Sequence, residues 1–340
     1  MKTDAAKPFV KWAGGKRQLI EKFEKRGFIP KNFNCYFEPM LGGGAMFFHI
    51  AQNYSPQECI LSDVNLDLIS VYRVIKNHSE KFIKELSHIK REYKREKNQE
   101  DYYYGMREYF NILKLNKETF DILTDLKNNL RMVDELDSLE KYFERLKVTG
   151  DERKIRKSAL FIFLNKTCYN GLYRVNSKGE FNVPYGRYKN PGIFKKRNIR
   201  KVSKLLESVK ILNKDFEKVV KDVEENDFVY FDPPYIPLTE TADFTSYSEG
   251  GFDHEEQLRL AGVVDKLSEK GAYVMESNSG SKVTKDIYKG FEKLKVNTLK
   301  ADRVISCKGD KRGPVEEVVI TNYEPNPEPR PEQTTLSVEE

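Results

Sequence analysis

Short apolar runs, each bounded by a turn residue or an acid, mark both ends of the chain. Tyr36–Glu38 reads as the end of a strand. The glycines Gly42, Gly43 and Gly44 follow, then the apolar run Ala45–Ala51, which suits a helix. Cys59–Ser62 reads as a second strand ending at Asp63. Strand, glycine loop, helix, strand and acid, in that order, form the layout of a nucleotide-binding crossover. The pattern returns from Val209. Val209–Leu212 and Phe228–Phe231 read as buried strands. Asp253–Lys270 reads as a helix, with Asp253 as its cap, Glu256 three residues on and Gly271 just past its end. Ala272–Met275, Glu292–Val296 and Val315–Thr321 complete the predicted strands of an α/β, Rossmann-like sheet.

The middle of the chain reads differently. From Ser79 to about Lys157 charged residues dominate, with apolar residues at helical spacing, as in the stripe Phe120, Leu123, Leu126 and Leu130. Ser158–Leu164 reads as a buried helix. Asn165–Asn190 is rich in Gly, Asn, Tyr and Arg, and within it Leu172–Val175 and Glu180–Val183 flank Asn176–Gly179, which predicts a hairpin. The expected organisation is a catalytic domain in two parts, 1–78 and 201–323, split by a helical insertion with the hairpin at 79–200. A disordered tail, 324–340, is rich in Pro, Glu and Thr.

Composition narrows the class. Of 340 residues, 39% are hydrophobic and 33% charged, which excludes wholesale disorder. Net charge is +6, and because the tail is acidic the body is more basic still, a weak pointer to a polyanionic partner. The longest apolar runs, such as Leu160–Leu164, are too short to span a bilayer, and no secretory signal is visible. The protein is therefore expected to be soluble and cytoplasmic, with no membrane partner. Cys35, Cys59, Cys168 and Cys307 lie far apart, and His49, His78, His88 and His254 lack metal-ligand spacing, so reduced thiols and no metal are expected.

The most specific chemical signal is Asp232-Pro233-Pro234-Tyr235, directly after a predicted strand. Ligands of open α/β sheets bind at such strand ends. Two prolines stiffen the loop and remove two backbone donors, so it presents mainly acceptors, and Tyr235 can stack on a planar ring. This suits an amino group conjugated to a ring, such as the exocyclic nitrogen of adenine. Two acceptors gripping its hydrogens free the lone pair to attack a methyl group on a sulfonium, by positioning and electrostatics. The glycine loop does not fit dinucleotide spacing. With Asp63 placed for ribose hydroxyls, a nucleoside without a pyrophosphate fits better, and S-adenosylmethionine is such a ligand.

With these residues in place, the chain resembles the Dam-type, D12 class, α-group adenine-N6 DNA methyltransferases, including GATC-specific members. Phe9–Lys16 is similar to that family's N-terminal motif, Glu38–Gly44 to its glycine motif, Asp63–Asn65 to its ribose-binding acid and Asp232–Tyr235 to its catalytic motif. Asn170–Arg174 and Gly179–Tyr188 resemble its DNA-reading hairpin. The resemblance implies a methyltransferase sheet with an inserted DNA-recognition subdomain, acting on duplex DNA after base flipping. It implies that Trp12, Lys16, Glu38, Gly42, Gly44, Asp63, Asp215, Phe216 and Asp232 hold the cofactor, and that Asp232, Pro233, Pro234 and Tyr235 carry the reaction. Lys11 and Arg174 would reach guanine edges, and Leu172 and Pro184 a thymine methyl. Tyr169 would fill the gap left by the flipped base, with Asn170 close by, and Arg187 and Tyr188 would meet flanking bases or backbone. Arginine to guanine is the commonest specific major-groove contact, worth ~1–3 kcal/mol. The basic segment Lys300–Arg312 would contact phosphates. A monomer, or a dimer on DNA, is expected. Two alternatives stand beside this reading: an amino-group methyltransferase acting on RNA or a protein glutamine, and a DNA-binding homologue that has lost catalysis.

Overall fold

The computed structural model describes residues 5–114, 150–235, 252–302 and 314–326. The stripe at 120–130, Cys307, most of the basic segment 300–312 and the tail beyond 326 lie outside the described residues. The chain divides into two compact units. One comprises 1–15, 42–44 and 65–213; the other comprises 16–41, 45–64 and the chain from 214 onward.

Strands in chain order are β1 (Tyr36–Glu38), β2 (Cys59–Ser62), β3 (Lys210–Leu212), β4 (Phe228–Phe231), β5 (Tyr273–Ser279), β6 (Lys295–Asp302) and β7 (Pro314–Thr321). All but β3 lie in the second unit, where they neighbour one another in the order β2-β1-β4-β5-β7-β6. β2, β1, β4 and β5 run parallel; β7 is antiparallel to both β5 and β6. Every residue of β1, β2 and β4 is buried, as expected of strands covered on both faces. From β1 the chain first moves outward to β2, and later returns to place β4 on the other side of β1. That reversal makes the carboxyl ends of β1 and β4 the natural ligand crevice of the sheet.

The helices of this unit are α1 (Arg17–Lys25), α2 (Ala45–Asn53), α7 (Phe216–Val219), α8 (His254–Glu269) and α9 (Lys282–Tyr288). The expected cap of α8 is present: the Asp253 carboxylate accepts from the Glu256 N–H at 2.9 Å. Gly271, at φ +80°, closes the other end. Three strand expectations need correction. Val209–Leu212, expected as a buried strand, gives β3 over Lys210–Leu212, whose residues are exposed or half-buried. β5 continues past Met275 to Ser279, because its polar residues are buried by pairing with β7. β6 begins at Lys295 rather than Glu292, because Phe291–Leu294 closes a turn through Leu294 N–H to Phe291 O at 3.0 Å.

The first unit contains α3 (Leu66–Arg95), α4 (Gln99–Ile112), α5 (Gly150–Thr167) and α6 (Lys196–Leu206). α3 starts at Asn65, whose side chain accepts from Leu68 N–H at 3.0 Å, and kinks at His78. The change of composition at Ser79 thus falls at that kink, directly after His78. The expected buried run 158–164 lies in the middle of α5, which packs on α3 and α4; Phe163 there meets Tyr93, Tyr102 and Tyr103. The predicted hairpin forms as a bridge, Val175 to Phe181. Its turn is held by Asn176 N–H to Glu180 O at 2.9 Å and Gly179 N–H to Asn176 O at 2.8 Å.

Candidate functional site

In the sheet unit, β4 delivers Asp232 to the crevice. Its side chain is 25% exposed, and its Oδ1 lies 2.7 Å from Lys16 Nζ. Ser277 Oγ donates to the same oxygen at 3.4 Å, while Oδ2 receives no hydrogen bond from the described residues. Lys16 is buried at the start of α1. It also donates to the Tyr235 hydroxyl at 2.5 Å and sits 4.4 Å from the centre of the Tyr235 ring. Burial pushes the Asp232 carboxyl above its ordinary value; Lys16 and Ser277 pull it back without cancelling the rise. Burial, with the charges of Asp232 and Glu317, pushes the Tyr235 phenol up, so it stays protonated and donates to Glu317.

Behind this loop runs a buried polar chain. Gln257 Nε2 donates to the Pro234 carbonyl at 3.2 Å, and Asn278 Nδ2 donates to Gln257 Oε1 at 3.0 Å and to Glu276 Oε1 at 2.8 Å. Tyr288 donates to the other oxygen of Glu276. Burial pushes the Glu276 carboxyl up to about 7. Sequence reasoning did not single out these residues. The four consecutive polar residues Glu276–Ser279, inside what proves to be a fully buried stretch of strand, are the signal that could have found them.

Glu38 closes β1, fully buried, and accepts from the Tyr36 hydroxyl at 2.7 Å. Burial raises its carboxyl well above the usual range, and the charges of Asp232 and Asp63 push the same way. The three acids therefore share one field at the strand ends. Asp215 caps α7 through the Glu217 N–H at 3.1 Å, and Arg259 grips both its oxygens, at 2.9 and 2.8 Å. Those hydrogen bonds hold the Asp215 carboxyl below its ordinary range. Arg259 also stacks over Phe216, 4.1 Å from its ring centre, and pairs with Glu217 and Glu256. Nothing in the sequence pointed to Arg259, because its partners come from two separate segments.

The first unit gathers the remaining residues. Gly42, at φ +49°, lies so close to Trp12 that a Cβ there would sit 2.7 Å from the indole Cδ1. Trp12 stacks on Tyr173, with ring centres 6.0 Å apart. Gly44 also has a positive φ, 66°. Asn165, 2% exposed, ties Lys11 to the hairpin: it accepts from the Lys11 N–H at 2.8 Å and donates to the carbonyls of Lys11 at 2.8 Å and Gly171 at 3.0 Å. The Lys11 ammonium lies 4.5 Å from the centre of the Tyr188 ring. Tyr169 is 49% exposed, which excludes a core role. Its N–H is held by the Pro184 carbonyl at 2.9 Å, and Leu172 N–H returns to Tyr169 O at 3.3 Å. Asn170 and Arg187 adopt positive φ, 54° and 52°, a conformation uncommon outside glycine. Arg187 is paired with Glu100 at 3.1 Å, and Arg174, exposed, donates to Asn182 Oδ1 at 2.8 Å.

Among the described residues, no group of three or more His, Cys, Asp and Glu could hold a metal ion, and no helix is long and apolar enough to cross a membrane. A family model described as D12 class N6 adenine-specific DNA methyltransferase matches residues 12–301. The chain is 44% identical over 326 residues to a Type II methyltransferase of Methanocaldococcus jannaschii, covering 93% of this chain and 99% of that one. It is 39% identical over 319 residues to a Type II methyltransferase of Lactococcus lactis subsp. cremoris, covering 93% and 95%. It is 30% identical over 317 residues to a DNA adenine methylase of Escherichia coli, covering 93% and 95%.

Proposed function

The chain belongs to the D12 class of N6 adenine-specific DNA methyltransferases, and from that premise we propose which of its residues carry the reaction and which read the DNA. The observation that carries the assignment is Asp232 at the end of β4, with one oxygen on Lys16 and the other without a donor among the described residues.

Asp232 and a backbone carbonyl of its turn are the two acceptors that grip the target amino group, and Tyr235 stacks on the extruded adenine. No protein base of high pKa is needed: the acceptors localise the nitrogen lone pair, and the amine sheds its proton after it has reacted. S-adenosylmethionine supplies the electrophilic methyl group. The acids of the sheet unit suit it. Glu38, Asp63 and Asp232 offer acceptors at the strand ends for ribose hydroxyls. Phe216 offers an aromatic surface beside Asp215, which Arg259 keeps ionised. Lys16, Trp12, Gly42 and Gly44 are assigned to the same ligand on the family resemblance. Lys11, Tyr169, Asn170, Leu172, Arg174, Pro184, Arg187 and Tyr188 read the duplex, within GATC. Modification beside a restriction nuclease is the setting proposed from the names of the Type II relatives.

The test is methyl incorporation from labelled S-adenosylmethionine into plasmid DNA, with mapping of the modified adenines. Asp232→Ala should abolish incorporation and leave the fold intact, and Arg174→Ala should broaden the mapped sites. Near-normal transfer by Asp232→Ala would remove the mechanism, and an unchanged map for Arg174→Ala would remove the reading of the hairpin.

A further inference from the structure

Away from the residues assigned above, a cleft of about 480 Å³ lies in the first unit, where the C-terminal half of α3 faces Phe194 and the start of α6. On α3, Ser87, Lys90, Arg91, Lys94 and Arg95 follow the spacing i, i+3, i+4, i+7, i+8, so they form one face of the helix. Lys196 stands on the opposite wall, and Phe194 lies between, with the Lys90 ammonium 5.7 Å from its ring centre. Five cations line the cleft and no carboxylate does. Two acids beside these cations are already shared: Glu92 lies 3.6 Å from Arg91 and 3.5 Å from Arg95, and Glu80 pairs with Arg200 while also feeling Lys196. Like charges crowded along a partly apolar wall repel one another, and a polyanion relieves that repulsion.

The cleft is coupled to the hairpin. Tyr93, inside the same stretch of α3 but on its buried face, hydrogen-bonds through its hydroxyl to the Tyr185 hydroxyl at 2.7 Å. Tyr185 sits between Pro184 and Arg187, both assigned to DNA. From Ser87 to Arg95 the helix rises about 12 Å. At about 3.4 Å of duplex axis per phosphate on one strand, that length matches roughly three successive phosphates.

We infer that this basic face of α3, with Lys196, binds backbone phosphates of the duplex flanking the recognised base pairs, adding affinity without sequence preference. The inference rests on the hairpin being the part that reads DNA. Phe194 and the lysine stems form the low-dielectric wall that strengthens the attraction.

The experiment uses the full-length protein, a duplex just covering the recognition site, and one extended by about one helical turn on each side. Lengthening should tighten wild-type binding about tenfold or more. Lys90→Gln/Lys94→Gln/Lys196→Gln, with helix-compatible glutamines, should lose that gain yet match wild type on the short duplex. Its slope of log affinity against log salt on the long duplex should fall by about 2 to 3, near 0.9 per phosphate contact. Lys94→Gln alone, at an exposed position, should lower the slope by about 0.9, so the inference stays testable if the triple variant misfolds. Preference for the correct site should not change. A retained length gain and slope, or a loss of site preference, would overturn the inference. Arg174→Ala separates the two readings: it should lose site preference and keep the length gain.

Discussion

Replacing Lys16 by Met isolates what the ion pair does to Asp232. The side chain keeps its length and burial but loses its charge. At 2.7 Å the pair interacts by about 1.5 kcal/mol if screened as in bulk water, and by about 6 kcal/mol at an effective dielectric of about 20. Asp232 keeps a quarter of its surface while Lys16 is buried, so the pair's energy lies between these limits, and losing it raises the Asp232 carboxyl further. In the proposed mechanism Asp232 accepts hydrogen bonds from the target amine when ionised, and burial has already raised its carboxyl. The acid limb of the single-turnover rate should therefore move to higher pH in Lys16→Met, with activity lost first on the acid side and recovered as pH rises. The assay is the pH profile of single-turnover methylation at saturating cofactor and DNA, so that weaker cofactor binding does not enter. A loss of activity by the same factor at every pH, with the limb unmoved, would refute the claim that Lys16 sets the ionisation of Asp232.

Two further outcomes follow from the geometry. Gly42→Ala forces a Cβ into the Trp12 indole at a positive φ, costing about 1–2 kcal/mol in backbone strain alone. Trp12 is the single tryptophan of the chain, so its emission should shift and cofactor affinity should fall about tenfold or more; unchanged fluorescence would count against the contact. Glu276 has a folded pKa raised to about 7 from 4.5, so the folded state holds an extra proton between those values. Its contribution to stability is present at low pH and is lost as pH rises through that window, about 3 kcal/mol in all. Glu276→Gln should flatten the urea-unfolding midpoint over the same range, and an undiminished slope would assign the pH dependence elsewhere.

Local signals made much of this protein legible. β1, β2 and β4 have the bounds read from their apolar runs, and α8 starts at the acid expected to cap it. Strand burial and helix capping depend on neighbours in sequence, so one chain suffices to read them. Asp232-Pro233-Pro234-Tyr235 was equally plain, because covalent order fixes a carboxylate, two absent donors and an aromatic ring beside a strand end. β5 and β6 were misplaced because their register is set by β7, a partner that no local pattern names.

What the sequence determined by itself is therefore the α/β class, the family and the Asp232–Tyr235 turn, each written in contiguous residues. Only the tertiary structure decided which side chain meets which. It put Lys16 on Asp232, Arg259 on Asp215 and Phe216, Gln257 on the Pro234 carbonyl, and Asn165 between Lys11 and Gly171. It also turned an ordinary run of surface charges on α3 into one wall of a basic cleft. Periodicity tells which face of an element is buried, but not which distant segment covers it. Ion pairs and buried hydrogen bonds act over about 3 Å, so their partners exist only once the chain has closed on itself.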